Sequence, residues 1–250
     1  MIDIHSHILW NLDDGARDFD ESVQMLRVAV DSGTSDIVAT PHANLCYTFD
    51  PASVNERIQR LSGKIDSIRI HRGCDFHFYT DNINDALANP SRYTINGRSY
   101  LLVEFSDLLI FQNTGEVFDE MLAAQMVPVI THPERNSLLY SRTADLAAWA
   151  ARGVCLQVTA QSLLGRFGRD ARDFAHELIE RGLVAFLASD AHDCIDRPPR
   201  LDLGYRHLAE RYAERVARAL CIENPRAVLA GDPLPMPPEP VKSNRRWWFW

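Results

Sequence analysis

The chain has 250 residues, 46% of them hydrophobic and 24% charged, which supports a sizeable core and excludes a disordered or fibrous protein. Its formal charge of −8 is spread along the chain without blocks, which argues against nucleic acid as the main partner. The five cysteines, Cys46, Cys74, Cys155, Cys194 and Cys221, form no C-x-x-C pair, so neither a disulfide framework nor a zinc ribbon is expected.

The first residues, MIDIHSH, enter a strand-like run directly, and no stretch approaches the roughly 20 apolar residues of a membrane span. A cytoplasmic protein is expected. In chain order, IDI is followed by the amphipathic ESVQMLRVAVDSG, DIVAT by PASVNERIQRL, SIRIHRG by DNINDALAN, and SYLLVEF by GEVFDEMLAAQM. VPVIT then leads to ADLAAWAARG, VCLQVTA to ARDFAHELIERG, and VAFLAS to YRHLAERYAERVARAL. This sevenfold alternation of apolar runs and 3.6-period stretches predicts an α/β fold with a parallel sheet. Gly33, Gly153 and Gly182 stand where helices end before the next strand. Within YTINGRSYLLVEF, Asn96-Gly97 predicts a hairpin turn ahead of the fourth strand. One domain is expected over residues 1–232, followed by a tail, 233–250, whose proline run holds RRWWFW away from the domain. Arg245, Arg246 and the terminal aromatics suit a membrane interface or a groove on a partner protein, with folding back onto the domain as the alternative.

The residues that follow the apolar runs carry the chemistry. His5 and His7 follow the first, with Asp14 close behind; His42 follows the second and Asp75 the third. Glu104, His132, and Asp190 with His192 follow later runs. In an open sheet, with strands about 4.8 Å apart, the ends of the first and seventh strands would lie roughly 30 Å from each other. Closing the strands into a barrel gathers all these groups at one mouth, so a barrel is predicted. Imidazole and carboxylate without thiolate suit a hydrolytic site for Mn²⁺, Fe or Zn²⁺, and nine such groups suffice for two or three ions, with Glu104 the best bridge. His71 and His77 flank Asp75 and are candidates for supporting ligands, whereas His176 and His207 fall in helical patterns where a surface role is expected.

Arg135, in THPERN, and Arg197, in SDAHDCIDRPP, would stand at the same mouth, where guanidinium groups suit binding of a phosphate. Cys194 and Arg200 satisfy C-x5-R, the pattern of thiol-dependent tyrosine phosphatases. Pro198 and Pro199 lack the backbone N–H groups that such a phosphate loop needs, and no glycine lies between the two ends, so the match is read as fortuitous.

MIDIHSHILWNLDDGARDFDESVQM, IVATPH, YLLVEF, ITHPERN and LASDAH together resemble the PHP metal-dependent hydrolases, and more closely the bacterial tyrosine-protein phosphatases of capsule and exopolysaccharide clusters, the CpsB/YwqE type. The resemblance covers residues 1 to about 232. It implies a distorted TIM-like (β/α)7 barrel of the PHP type holding two or three divalent ions, Mn²⁺ foremost with Fe or Zn as alternatives. The metal ligands it implies are His5, His7, Asp14, His42, Asp75, Glu104, His132, Asp190 and His192, and the catalytic residues are Arg135, Arg197 and Asp14. It also implies a phosphotyrosine protein substrate, the tyrosine cluster of a membrane-associated autokinase at the inner face of the membrane; direct attack on the phosphorus by metal-bound hydroxide is the mechanism expected of the ligand and arginine set. A small-molecule phosphatase of the histidinol phosphatase kind or a phosphodiesterase on the same barrel is the alternative, and a binding protein without turnover is a further one. One departure stands out: Gly73-Cys74-Asp75 replaces the usual G-Q-E, and aspartate is one methylene shorter.

Overall fold

Among the described residues, nine short parallel strands occupy seven positions around a ring, because two of the seven are broken. The structure, a computed structural model, describes residues 1–243. The strands are β1 (Ile2–Ser6), β2 (Asp36–Ala39), β3 (His42–Ala43), β4 (Arg69–Arg72), β5 (Asp75–His77), β6 (Tyr100–Glu104), β7 (Val127–Thr131), β8 (Cys155–Thr159) and β9 (Val184–Ala188). One sheet has the order β1-β2-β4 and the other β3-β5-β6-β7-β8-β9, with every pairing parallel. β3 and β5 continue β2 and β4 beyond the Thr40-Pro41 and Gly73-Cys74 breaks. A bridge between Ser6 and Ala191 brings the end of β9 back to β1, where His7 N donates to Ala191 O at 2.7 Å and Asp190 N to His5 O at 2.9 Å. This is the distorted (β/α)7 arrangement, with the distortion concentrated in the second and third positions.

Alternation within the strands separates two apolar clusters. Tyr100 and Leu102 of β6 join Ile4, Val38, Val129 and Phe186 in a small cluster built almost wholly of strand residues, so it fills the interior of the ring. Leu101 and Val103 face the other way, into a larger cluster with Met25, Phe118, Leu146 and Leu178 from the surrounding helices. The helix Phe19–Asp31 buries Met25, Leu26 and Ala29 on one stripe, and starts where the Asp18 side chain accepts from Glu21 N. The helix Pro51–Leu61 begins the same way, with Asp50 accepting from Ala52 N and Ser53 N and proline in the first turn.

Three expectations are corrected. No hairpin precedes β6: Pro90–Tyr93 is a short helix and Ile95–Gly97 a single 3-10 turn. Asn96 and Gly97 do adopt the left-handed backbone, but both edges of β6 are already taken by β5 and β7, so an antiparallel neighbour has nowhere to pair. Second, His176 is buried and not a surface residue; its Nδ1 bonds the Tyr212 hydroxyl at 2.8 Å and its Nε2 lies 3.3 Å from that of His207. Third, the proline-rich segment does not run free of the barrel. Asn224 is fully buried and exchanges two bonds with the Met236 backbone, at 2.8 and 3.1 Å, while Val241 N donates to Glu180 O at 3.1 Å. RRWWFW, with Arg245 and Arg246, lies outside the described residues. Among the described residues no helix is long and apolar enough to cross a membrane.

Candidate metal centre

β1 delivers two imidazoles to one point. Its register with β2 shifts between Asp3 and Ser6, and the buried Asp3 carboxylate supports that irregularity by accepting from His5 N at 3.4 Å and from Ser189 N at 3.0 Å. His5 Nδ1 bonds Gln157 Oε1 at 2.8 Å, and His7 Nδ1 bonds Asp13 Oδ2 at 2.7 Å. With Nδ1 donating in each ring, the two Nε2 atoms are left as lone-pair donors, and they face each other 3.3 Å apart. Gly15 follows Asp13 so closely beneath His7 that a Cβ there would lie 2.1 Å from the His7 carbonyl oxygen. Asp13 also accepts from Gly15 N and His42 N, both at 3.0 Å, which ties the loop to β3.

The remaining candidates converge on the same mouth. His42 and Asp75 are register partners, with His42 Nδ1 3.2 Å from Asp75 Oδ2, and His5 Nε2 is 3.5 Å from that same oxygen. Glu104 spans two imidazoles, Oε1 at 3.6 Å from His132 Nε2 and Oε2 at 3.6 Å from His42 Nδ1. Asp14 Oδ1 lies 3.4 Å from His42 Nε2 and 3.5 Å from His192 Nε2, and Asp190 Oδ1 lies 3.4 and 3.5 Å from Nε2 of His5 and His7. His132 and Asp190 both hold a left-handed backbone, at φ 32° and 52°, a strained state for residues with a Cβ that is common where a side chain must be aimed. Among the described residues, three interlocking sets have donor atoms within 4.8 Å of one another: His7, Asp14, His42 and His192; His5, His7 and Asp75; and His42, Asp75 and Glu104. Of the two outlying histidines, His77 Nδ1 stands 3.5 Å from Glu104, whereas His71 pairs with Asp36 at 2.9 Å, below the break in its strand.

The charges fit cations. Among the described residues, the fully buried Asp75 carboxylate and the His42 Nδ1 are ion-pair neighbours, but neither that nitrogen nor either Asp75 oxygen has a well-directed hydrogen bond, which is costly unless another ligand satisfies them. Burial works against ionisation of Asp75, yet the His5 and His42 imidazoles hold it well below the usual carboxylate range. Burial likewise opposes charge on His5, but the Asp75 and Asp190 carboxylates raise it to about 9. His132 goes the other way, to about 4, through burial and the Arg135 charge, and His192 falls to about 3 through burial and His7. With no cation bound, the raised His5 keeps a proton where an ion would sit; once that proton leaves, buried anionic oxygens and imidazole nitrogens make a donor set for divalent ions, and no cysteine belongs to any of the three sets.

Arg135 and Arg197 meet at this centre, both donating to Asp190 Oδ2, the latter at 2.5 Å. Each is about a quarter exposed, at 25% and 24% of the side chain, so a ligand entering the mouth reaches them. Arg135 is placed by its neighbour Glu134, whose buried carboxylate accepts from Thr159 N at 2.9 Å and from Ser162 Oγ at 2.6 Å, clamping the β7 loop to the end of β8. The sequence pointed to no role for Asp3, Asp13, Gln157 or Glu134; only Asp13, adjacent to the candidate ligand Asp14, carried a local signal. Cys194 belongs to none of the three donor sets; its Sγ lies 4.0 Å from the Glu21 carbonyl oxygen, and burial together with Glu21 raises its pKa. Arg200 is paired with Asp202 at 2.7 Å.

Comparison with known proteins places this geometry. The family model for capsular polysaccharide synthesis proteins, CpsB/CapC, matches residues 1–230. Tyrosine-protein phosphatase YwqE of Bacillus subtilis (strain 168) is 32% identical over 255 residues, covering all of both chains. Tyrosine-protein phosphatase CpsB of Streptococcus pneumoniae is 27% identical over 239 residues, 92% of this chain and 98% of its own. A chain from the crystal structures of YwqE and CpsB, described as unique metal-dependent tyrosine phosphatases, superposes with a TM-score of 0.87 at 32% identity, over 97% of this chain and 100% of that one.

Proposed function

We propose that this chain, which belongs to the CpsB/CapC family, is a metal-dependent protein-tyrosine phosphatase acting at the mouth of its barrel. The observation that carries the reading is the convergence of Arg135 and Arg197 on Asp190, itself within 3.5 Å of the paired His5 and His7 nitrogens. Two guanidiniums beside a multi-cation site suit one ligand above others, a phosphoryl group.

His5, His7, Asp14, His42, Asp75, Glu104, His132, Asp190 and His192 hold two or three divalent ions in this reading, Mn²⁺ first and Fe or Zn as alternatives. Bound there, such ions would neutralise charge on the phosphoryl oxygens and lower the pKa of the attacking water. Arg135 and Arg197 bind the non-bridging oxygens and turn the phosphorus toward that water, so the displacement is direct and no residue becomes phosphorylated. Gln157 keeps His5, and Asp13 keeps His7, in the tautomer that leaves Nε2 free. Asp14 is half-exposed, and the hydrogen bond to His42 holds its carboxyl far below the usual range, so it stays ionised as a ligand and is not a proton donor. The phenolate leaving group is acidic enough to depart without a strong acid beside it. The substrate we assign is phosphotyrosine on a membrane-associated capsule or exopolysaccharide autokinase, reached from the cytoplasm. Residues 1–232 form the catalytic domain, and 233–250 a C-terminal segment that packs on it through Met236 and Val241 and whose RRWWFW end serves a partner or membrane contact.

The test compares a phosphotyrosine peptide, histidinol phosphate and a phosphodiester on enzyme stripped by chelation and reloaded with Mn²⁺. Turnover of the peptide that appears only after reloading, and exceeds that of the other two, is expected. Full activity after exhaustive chelation, or preference for either alternative substrate, overturns the reading.

A further inference from the structure

One aromatic ring outside the ligand set touches both arginines. Phe167 lies in Leu164-Gly165-Arg166-Phe167-Gly168, between the short helix Ala160–Leu163 that follows β8 and the helix Arg169–Glu180. Gly165 and Gly168 hold the left-handed backbone, at φ 81° and 94°, and a Cβ at Gly168 would meet nothing within 4 Å. Glycine is needed at 168 for the turn, not for space. Gly168 N donates to Gly165 O at 3.1 Å and Arg166 N to Gln161 O at 3.1 Å, so the segment is a folded turn that presents Phe167 at its tip.

The Arg135 guanidinium carbon lies 4.3 Å from the centre of the Phe167 ring, and that of Arg197 lies 5.9 Å from it. The three residues come from the successive loops after β7, β8 and β9. The β8 loop is fastened to the β9 loop at a second point, where Arg166 pairs with Asp196 at 2.9 Å and Gln161 Nε2 donates to the Asp196 carbonyl at 3.2 Å. Two guanidiniums drawn to one carboxylate oxygen repel each other, and what opposes the repulsion decides how they meet a phosphate. Another carboxylate would hold them but would also neutralise them and compete for their N–H groups. A ring face attracts a cation through its quadrupole and leaves every N–H free.

We infer that Phe167 is the positioning residue of the two-arginine phosphate clamp, acting through Arg135 and Arg197. The inference rests on the phosphatase reading for its consequence in turnover, but the clamp itself binds inorganic phosphate whether or not a phosphotyrosine is the substrate.

The variants are Phe167→Leu, which keeps an apolar side chain and removes the π face, Phe167→Ala, and Phe167→Trp as the conservative rescue. Each is loaded with Mn²⁺, its metal content measured, and its affinity for inorganic phosphate determined by calorimetry; kcat and KM follow for nitrophenyl phosphate and a phosphotyrosine peptide. With metal content unchanged, the Leu and Ala variants should bind phosphate about three- to tenfold more weakly, and the Trp variant near wild type. KM should rise by a similar factor for both esters, since the clamp grips the group they share. A Leu variant equal to wild type in phosphate affinity overturns the inference, as does loss of metal together with phosphate affinity in all three variants. If wild type binds phosphate but does not turn over phosphotyrosine, the proposed function fails while the calorimetric comparison still decides the role of Phe167.

Discussion

Asp75 is one methylene shorter than the glutamate usual at its position, yet it reaches the centre. The break at Gly73 sets β5 forward as a separate strand, and Asp75 stands directly across from His42 with one oxygen between two imidazoles. Asp75→Ala should lower metal content per chain together with activity, as read by elemental analysis; full metal content would remove Asp75 from the ligand set. Asp13 acts one step back, through the His7 Nδ1 it accepts from. Asp13→Ala should weaken metal affinity about 10- to 100-fold in a competitive chelator titration, without removing a ligand. Cys194 and His192 stand two positions apart with opposite expectations. Cys194→Ser should keep most of its turnover, because its thiol faces Glu21, whereas His192→Ala should lose nearly all turnover and part of its metal. A dead Ser variant with its metals in place would return the mechanism to the thiol.

Elements place these residues, and their boundaries follow pairing more than propensity. The apolar runs and their order were legible because a strand buried on both faces reads as a continuous hydrophobic stretch. The breaks in the second and third runs were not, since TPH and RGCD look locally like strand ends; the split arises where β2 pairs with β4 but β3 pairs with β5. Gly73 marks the spot, for a Cβ there would lie 2.7 Å from a Val38 methyl. The helix Arg169–Glu180 carries a separate consequence. Burial and the nearby Arg211 charge lower His176 from 6.5 to about 4, so the unfolded chain takes up this proton before the folded one does. Its contribution to stability is therefore complete above pH about 6.5 and is lost as pH falls toward 4. Denaturant unfolding of wild type and His176→Gln across that window should show the wild type losing more stability on acidification; parallel curves would contradict the assignment.

At the scale of the whole molecule, the two ends of the barrel do different work. The mouth gathers charge, while the opposite end is covered by the proline-rich segment, which crosses the start of β9 so closely that a Cβ on Gly182 would lie 2.3 Å from Pro240 N. Deleting residues 236–250 removes both Asn224 bonds to Met236 and the Val241 bond to Glu180. Thermal unfolding should shift down by about 2–4 °C for each kcal/mol those contacts supply, while nitrophenyl phosphate turnover per loaded enzyme stays unchanged. Loss of turnover would show that the two ends are coupled. What the sequence by itself determined was the number of β/α units, the residue types at the strand ends and, through the mismatch between nine ligand-type groups and an open sheet's width, the need for a ring. What only the tertiary structure decided was orientation: which nitrogen of His5 and His7 faces the centre, that Asp13, Gln157 and Glu134 hold their neighbours in place, and that one ring touches both arginines. Such orientation depends on contacts like that of His5 with Gln157, 152 residues apart in the chain. Spacing along a chain reports which face a side chain takes, but the partner that fixes its rotamer and its proton arrives from another strand.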